Sequence, residues 1–157
     1  MPKKFKSFDH LLKPDPRFKN KIVAKFINCL MKQGKRSTAL RIFYEAVGVV
    51  EKKHPGKDPL QVFLTSLNNV KPLMEVRSRR VGGATYQVPM EVNPKRQMSL
   101  AMRWILDATR KKKGRPMAQR LADELGAAFR GEGEAITTRE NIHKMAEANK
   151  AFAHYAW

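Results

Sequence analysis

The chain has 157 residues, of which 32 are Lys or Arg and 14 are Asp or Glu, so its formal net charge is +18. This length is typical of one domain with a real core, and the charge favours contact with a polyanion, nucleic acid first and an anionic membrane surface second. The single cysteine excludes an intramolecular disulfide and a multi-cysteine zinc module. Because long apolar runs are missing, we expect no secretory signal, no membrane-spanning helix and a cytoplasmic location.

The N-terminal half of the chain predicts a basic arm followed by three helices. Residues 1–18 are rich in Pro and Lys without helical periodicity, which indicates an extended arm before a helical domain over 19–157. Apolar residues then recur at three- and four-residue spacing. The signals in chain order are the stripe Ile22, Phe26 and Leu30 with Gly34 at its end, Ser37 as the cap of the second helix, Pro55-Gly56 as its stop, and Asp58-Pro59 as the start of the third.

Residues 73–92 predict a β-hairpin. They lose the helical period and are rich in β-branched and aromatic residues around Gly82-Gly83, which is a typical hairpin tip. Pro89 favours an edge or a bulge. Because a two-stranded ribbon has little core of its own, we expect it to lean on the helices or on a partner.

Three further helices are predicted after the hairpin. Asn93-Pro94 begins the fourth, Pro116 opens the fifth, and the pair Thr137 and Glu140 has the spacing of a capping box for the sixth. Met145 is expected on the apolar face of that last helix. The predicted fold is a mostly α single domain of about six helices, with one protruding β-hairpin and an extended basic N-terminal arm.

Basic residues are segregated along the chain. Residues 1–36 hold 11 basic and 2 acidic residues, residues 71–96 hold 6 and 2, and residues 103–120 hold 7 and 1. Residues 121–157 instead hold 4 basic and 6 acidic residues. A uniformly solvated surface does not need this segregation, whereas a binding face assembled from separate segments produces it.

Four basic clusters form the predicted nucleic-acid-binding site. They are the arm (Lys3, Lys4, Lys6, Arg17), the turn between the first two helices (Lys32, Lys35, Arg36), the hairpin (Arg77, Arg79, Arg80, with Tyr86), and the fourth helix with its following loop (Arg96, Arg103, Arg110, Lys111, Lys112, Lys113, Arg115). Lysine neutralises phosphate, arginine adds forked phosphate contacts, and an aromatic ring stacks on an unpaired base.

Each cluster also has a second interpretation. The arm is compatible with a soluble tail, the turn with cations that complement a helix dipole, the hairpin with charge protection of a sheet edge, and the fourth helix with a solvated face. Nucleic acid is favoured most at the hairpin. Three arginines within residues 77–80 of a thin ribbon repel one another unless an anion or solvent lies between them.

No pattern of residues indicates catalysis. The four histidines fall at no metal-binding spacing, so we expect no metal and no cofactor. Cys29 lies near the apolar face of the first helix and is expected to be buried. The run from Gly34 to Ser37 is not a P-loop, because the first glycine and the hydroxyl residue directly after Lys35 are missing. We therefore expect a non-enzymatic protein without a small-molecule substrate.

The hairpin sequence is similar to a known family. Residues 69–92, NVKPLMEVRSRRVGGATYQVPMEV, closely resemble the signature of bacterial small-subunit ribosomal protein seven. Three further segments agree: KIVAKFINCLMKQGKR at 21–36, QMSLAMRWILDA at 97–108 and MAEANKAFAHY at 145–155. The similarity spans nearly the whole chain. It departs at Ala156, where the family commonly has Arg, and over the first dozen residues.

The resemblance implies a function as well as a fold. It implies direct binding to the 3′ major domain of small-subunit rRNA, an early role in assembling the head of the subunit, a ribbon near the tRNA exit site and the messenger path, and a last helix near ribosomal protein eleven among other head proteins. By position it marks Lys35, Arg36, Arg77, Arg79, Arg80, Arg96, Arg103 and Arg115 as RNA-contact candidates.

Two other classes of protein are weighed against the ribosomal one. A DNA-binding architectural or transcriptional protein needs a recognition helix with polar base-reading side chains, and the predicted helix over 37–50 offers few of them. An RNA-modifying enzyme needs a catalytic or cofactor motif, and none is found. The sequence therefore favours a structural rRNA-binding protein of the small ribosomal subunit.

Overall fold

The computed structural model describes residues 11–155, so the predicted arm cations Lys3, Lys4 and Lys6 and the departure at Ala156 lie outside the described residues. The elements in chain order are α1 (Lys21–Leu30), α2 (Arg36–Lys53), α3 (Pro59–Val70), β1 (Met74–Val81), β2 (Ala84–Glu91), α4 (Pro94–Lys111), α5 (Met117–Phe129), α6 (Glu134–Ala148) and a 3₁₀ helix (Lys150–Tyr155). This arrangement confirms the predicted mostly α fold with one hairpin.

Helix starts that carry a local signal lie where the sequence predicts them. The Asp58 carboxylate accepts the N–H of Leu60 at 3.1 Å, directly before Pro59 begins α3. Asn93 does the same for Lys95 at 3.1 Å at the start of α4. Each cap satisfies an N–H group that has no partner within the helix.

Two predicted caps are wrong. Helix α2 begins at Arg36, so Ser37 lies inside its first turn, and Lys35 at the cap position makes no side-chain capping bond. Helix α6 begins at Glu134, so Thr137 lies within the helix and its hydroxyl donates to the carbonyl of Gly133 at 3.1 Å. The first turn of α6 is capped instead by a residue of α5, Glu124, which accepts the N–H of Ala135 at 3.0 Å.

The core is built around three phenylalanine rings. Phe26 of α1, Phe43 of α2 and Phe63 of α3 are buried, with ring centroids 5.1 Å apart for Phe26 and Phe63, 5.3 Å for Phe43 and Phe63, and 5.8 Å for Phe26 and Phe43. Such tilted and edge-on contacts are favourable for aromatic rings. Leu121 and Leu125 of α5 are buried in the same cluster. This core fixes the positions of the helices that carry the basic residues.

The root of the N-terminal arm is tied to α2. Residues 16–18 form a turn in which the Asp15 carboxylate accepts the N–H groups of Arg17 and Phe18 at 3.1 and 3.0 Å. The other Asp15 oxygen accepts the hydroxyl of Tyr44 at 2.8 Å. Burial and the neighbouring Asp15 carboxylate raise the pKa of Tyr44 to about 12. The turn therefore leaves Arg17 next to the helical domain.

The hairpin is anchored to the helical domain at its base and along β2. Strands β1 and β2 are antiparallel and turn at Gly82 and Gly83, whose φ values of 57° and 89° suit a tight two-residue hairpin turn. The N–H of Leu73 donates to Nε2 of His143 in α6 at 3.1 Å. Burial and the nearby Arg139 cation lower the pKa of His143, which keeps this nitrogen available as an acceptor. The expected support of the ribbon by helices is confirmed.

Two side chains expected in the core are exposed. Met145 is 50% exposed, and the buried face of α6 consists of Ala135, Ile136 and Ala146. Cys29 is also exposed, because it lies beside the α1 stripe and faces the groove between α1 and α4. Within residues 11–155, no helix is long and apolar enough to cross a bilayer.

Candidate nucleic-acid interface

The corner between α1 and α2 is a basic groove. Its cavity of about 360 Å³ is lined by four cations, Lys32, Lys35, Arg110 and Arg120, and by no acidic residue. Apolar residues, among them Met31, also line it. Within the described residues, Lys32 and Lys35 have neither an ion pair nor a hydrogen bond from the side chain, and both are exposed. Their charges are therefore available to an anion.

A second basic groove lies between α1 and α4 and adjoins the first at Arg110. Its cavity of about 420 Å³ is lined by Lys25, Arg103 and Arg110, with Asp107 as the one acidic residue. The Arg110 guanidinium donates to the carbonyl of Cys29 at 3.3 Å, which helps to fix it between α1 and α4. Together the two grooves bring three helices' cations onto one side of the molecule.

The base of the hairpin meets α4 at a buried carboxylate. Oε1 of Glu75 accepts Nε of Arg77 at 2.6 Å, and Oε2 accepts Nε of Arg96 at 2.7 Å. Burial raises the pKa of Glu75, but hydrogen bonds and charge from Arg96 and Arg77 outweigh it and hold this pKa below its ordinary value. Glu75 is therefore ionised, and Arg77 and Arg96 are adjacent.

The outer half of the hairpin carries three predicted RNA-contact residues, Arg79, Arg80 and Tyr86. Tyr86 contacts other residues of the protein. Arg80 is exposed, and Arg79 lies opposite Tyr86 in the strand register. The ring of Tyr86 packs on the 3₁₀ helix, 5.2 Å from Phe152 and 5.3 Å from Tyr155 between centroids. The predicted stacking of Tyr86 on a base thus has an intramolecular competitor.

The cations of the loop after α4 face acidic partners. Lys111 pairs with Glu134 at 2.7 Å, Lys112 with Glu124 at 2.6 Å, and Arg115 with Asp123 at 3.4 Å. Hydrogen bonding and charge from Glu134 raise the pKa of Lys111. The hydrogen bond from Lys53, despite the opposing effect of burial, lowers the pKa of Asp123. We call these three pairs the acid-paired loop; Lys113 beside them is exposed.

Glu124 is the centre of this loop. It is fully buried, holds Lys112 with one oxygen and caps α6 with the other. Gly133, with φ of 100°, leaves room for it, because a Cβ at that position would lie 3.0 Å from Oε1 of Glu124. No local pattern around Glu124 in α5 indicates this role, because its two partners are Lys112, just after α4, and Ala135 in α6.

Comparison with known proteins identifies the family. A family model described as ribosomal protein S7p/S5e matches residues 2–150. The chain belongs to this family. It is 61% identical over 144 residues to small ribosomal subunit protein uS7 of Rhodopirellula baltica, covering 91% of this chain and 92% of the relative.

Two further relatives agree. Proteins of the same name from Verminephrobacter eiseniae and Delftia acidovorans are 56% and 54% identical over 142 residues, covering 90% of each chain. The resemblance found in the hairpin and three other segments is thus confirmed. The ribosomal protein S7 family is structural and non-enzymatic, so the prediction of a non-enzymatic protein is confirmed as well.

Two further predicted residues, Arg17 and Arg36, contact neighbouring side chains. Arg17 lies over the Phe18 and Tyr44 rings, 5.3 and 5.5 Å from their centroids. Arg36 donates to the side chain of Asn28 at 2.8 Å. Both side chains keep part of their surface exposed, so neither is excluded from an interface.

Sequence reasoning missed three residues of this surface. Lys25 lies within α1, between the basic clusters taken from the sequence, which lie in the arm and in the turn after that helix. Arg120 had none, because it donates to the carbonyls of Lys112 and, at 3.4 Å, of Thr109, which are near it only after α5 packs on α4. Glu75 was not singled out, because only the cations of the hairpin were considered and its contact with Arg96 is a tertiary one.

Proposed function

We propose that the chain binds small-subunit ribosomal RNA directly through one composite surface. This surface, the basic face, consists of the two grooves and the hairpin base: Lys25, Lys32, Lys35, Arg103, Arg110, Arg120, Arg77 and Arg96. The observation that carries the proposal is the charge of the two grooves, which bring together six cations and one acidic residue. The partner that fits such a surface is a folded RNA, whose phosphate groups supply the negative charge.

The basic face recognises the shape and the backbone of RNA. Phosphate neutralisation supplies affinity, and the positions of the grooves relative to the hairpin supply selectivity for one folded RNA. Arg110 contributes to both grooves, so it lies at the centre of the surface. Arg80, which is exposed and lies near the tip of the ribbon, extends the surface along β1.

The proposal includes a finer location, which the resemblance to the family supports. The bound RNA is the 3′ major domain, and binding helps to organise the head of the small subunit early in assembly. The ribbon lies near exit-site tRNA and the messenger, the last helix near ribosomal protein eleven, and the protein works in the ribosome of the cytoplasm. Support comes from the relatives, which are named small ribosomal subunit proteins, and from the protruding hairpin.

The test compares nucleic acids over a range of salt concentrations. The full chain is titrated with a 3′-domain transcript, a transcript of another small-subunit domain, and duplex DNA of equal length. If about 6–10 phosphates are neutralised, affinity falls roughly 10³–10⁵-fold between about 50 and 200 mM salt. We expect the 3′-domain transcript to bind most tightly throughout. Equal affinity for the DNA at every salt concentration overturns the proposal and favours an architectural DNA-binding protein.

A further inference from the structure

Glu75 is a buried acid in the most basic strand of the protein. It is 8% exposed and lies on β1 two residues before Arg77, on the same face of the strand. An acid beside RNA-contact candidates lowers the positive charge of the surface, which by itself weakens binding to a polyanion. We therefore expect a contact of Glu75 that offsets this loss of RNA affinity.

The geometry of Glu75 indicates what that role is. Arg77 contacts Oε1 through both Nε at 2.6 Å and Nη2 at 2.5 Å, and Arg96 contacts Oε2 through Nε at 2.7 Å. One carboxylate therefore holds two guanidinium groups from different elements, the hairpin and the first turn of α4. Charge-assisted contacts of this kind restrict long side chains to one geometry.

Both arginines still present donors to solvent. Their side chains are 49% and 47% exposed, whereas that of Glu75 is 10% exposed. Arg96 and Arg77 each donate the Nε–H to Glu75, and Nη2 of Arg77 lies in ion-pair contact with it, so each guanidinium keeps further N–H groups. These groups have the forked shape that matches phosphate oxygens.

We infer that Glu75 is a positioning residue for RNA binding: it orients Arg77 and Arg96 as one preformed phosphate-binding pair and joins the hairpin to α4. The inference rests on the proposed function. The ordering of both side chains takes place on folding, so RNA does not have to order them on binding. Glu75 thus contributes to affinity although its charge opposes RNA.

The experiment uses the opposite signs of these two effects. Glu75→Gln removes the charge and one set of acceptor contacts, so the positioning role predicts a rise in the dissociation constant for the 3′-domain transcript of about 3–10-fold. Charge alone predicts tighter binding. The matched control is Glu91→Gln, an exposed acid on β2 of the same hairpin, for which we expect unchanged or tighter binding. Glu75→Gln binding as tightly as wild type, or more tightly, overturns the inference.

Two further measurements separate positioning from folding. Glu75→Asp keeps the charge but is too short to reach both arginines, so we expect weaker binding at constant net charge; wild-type affinity in this variant overturns the inference. In an Arg77→Ala/Arg96→Ala background, Glu75→Gln is expected no longer to weaken binding, because the two side chains that Glu75 positions are gone and only the favourable loss of its charge remains. An undiminished effect there assigns Glu75 a purely structural role and also overturns the inference.

The outcomes also distinguish the inference from the proposed function. If the wild-type chain binds duplex DNA as well as the transcript, the proposed function fails. If wild type prefers the transcript and Glu75→Gln is as tight or tighter, only the positioning role fails. Far-UV circular dichroism on each variant verifies that the helical domain is folded.

Discussion

The basic face and the acid-paired loop are alike in composition and different in what their cations contact. Lys32 and Lys35 have no acidic partner within the described residues, whereas Lys111, Lys112 and Arg115 each pair with an acid of α5 or α6. In the sequence the two regions look equivalent, since both are clusters of Lys and Arg between helices. Which of these cations pair with an acid in the folded chain is therefore set by tertiary contacts and not by the local sequence.

The buried carboxylates show the same contrast. Glu124 is fully buried and directs both oxygens inward, to Lys112 and to the start of α6. Asp15 is also buried, but its side-chain partners within residues 11–155 are two backbone N–H groups and the hydroxyl of Tyr44, and none of them is a cation. Glu124 therefore offsets the charge of a surface lysine, Lys112, whereas Asp15 is not paired with any cation of the described residues.

The largest expected effect on stability is at Glu124. Glu124→Ala removes the cap of α6 and leaves Lys112 without its acid partner, so we expect the free energy of unfolding to fall by about 2–3 kcal/mol. A fully buried pair loses about 3–5 kcal/mol on removal of one partner, and the smaller figure reflects the 38% exposure of the Lys112 side chain. Urea unfolding followed by circular dichroism measures the change.

Glu132→Ala serves as its control. Glu132 pairs with Arg130 at 3.2 Å at the surface, with side chains 66% and 54% exposed, so its loss is expected to leave stability close to wild type. If Glu124→Ala unfolds at the same urea concentration as Glu132→Ala, the Glu124 contacts do not stabilise the fold. The structural difference between the acid-paired loop and the basic face is then contradicted.

A smaller effect is expected at Tyr44. Tyr44→Phe removes the hydroxyl that donates to Asp15, and a hydrogen bond of this kind contributes about 1 kcal/mol. Because the folded-state pKa of Tyr44 is raised from 10.0 to about 12, the tyrosine's contribution is fully present below pH about 10 and is lost as pH rises toward about 12. Denaturant unfolding from neutral pH to about pH 12 measures both the stability lost in Tyr44→Phe and the decline of wild-type stability with pH.

The matched control for this variant is Tyr86→Phe, since no hydroxyl hydrogen bond ties Tyr86 to another described residue. We expect Tyr44→Phe to be less stable than wild type near neutral pH and to lose less stability than wild type at alkaline pH. An alkaline decline as steep in Tyr44→Phe as in wild type contradicts the role given to the Asp15 contact.

Features set by local sequence were predictable. The hairpin with its Gly82-Gly83 tip and the starts of α3 and α4 depend on residues that are neighbours in the chain, and the structure confirms them. The caps proposed at Ser37 and Thr137 failed because the boundaries of α2 and α6 depend on the surrounding tertiary structure; at α6 the cap is Glu124, a residue of another helix. Local patterns do not contain that information.

The candidate site divides in the same way. The sequence located the basic clusters, including Lys32, Lys35 and the arginines of α4. It did not separate these from Lys111, Lys112 and Arg115, because the acids that pair with the latter lie 8 to 23 residues away along the chain. It also predicted that Cys29 is buried, but a position beside an apolar stripe does not show where the interface of the helix ends, and Cys29 is exposed.

The most direct test of the account compares salt dependence in two double variants. Binding of the 3′-domain transcript is measured over a range of salt for wild type, Lys32→Ala/Lys35→Ala and Lys111→Ala/Arg115→Ala, which remove the same formal charge. We predict that the slope of log affinity against log salt falls in magnitude by about 2 for the first variant, roughly one per lysine, and stays near wild type for the second. Equal reductions in both variants would contradict the claim that Lys111 and Arg115, which pair with acids of α6 and α5, contribute less to RNA binding than Lys32 and Lys35.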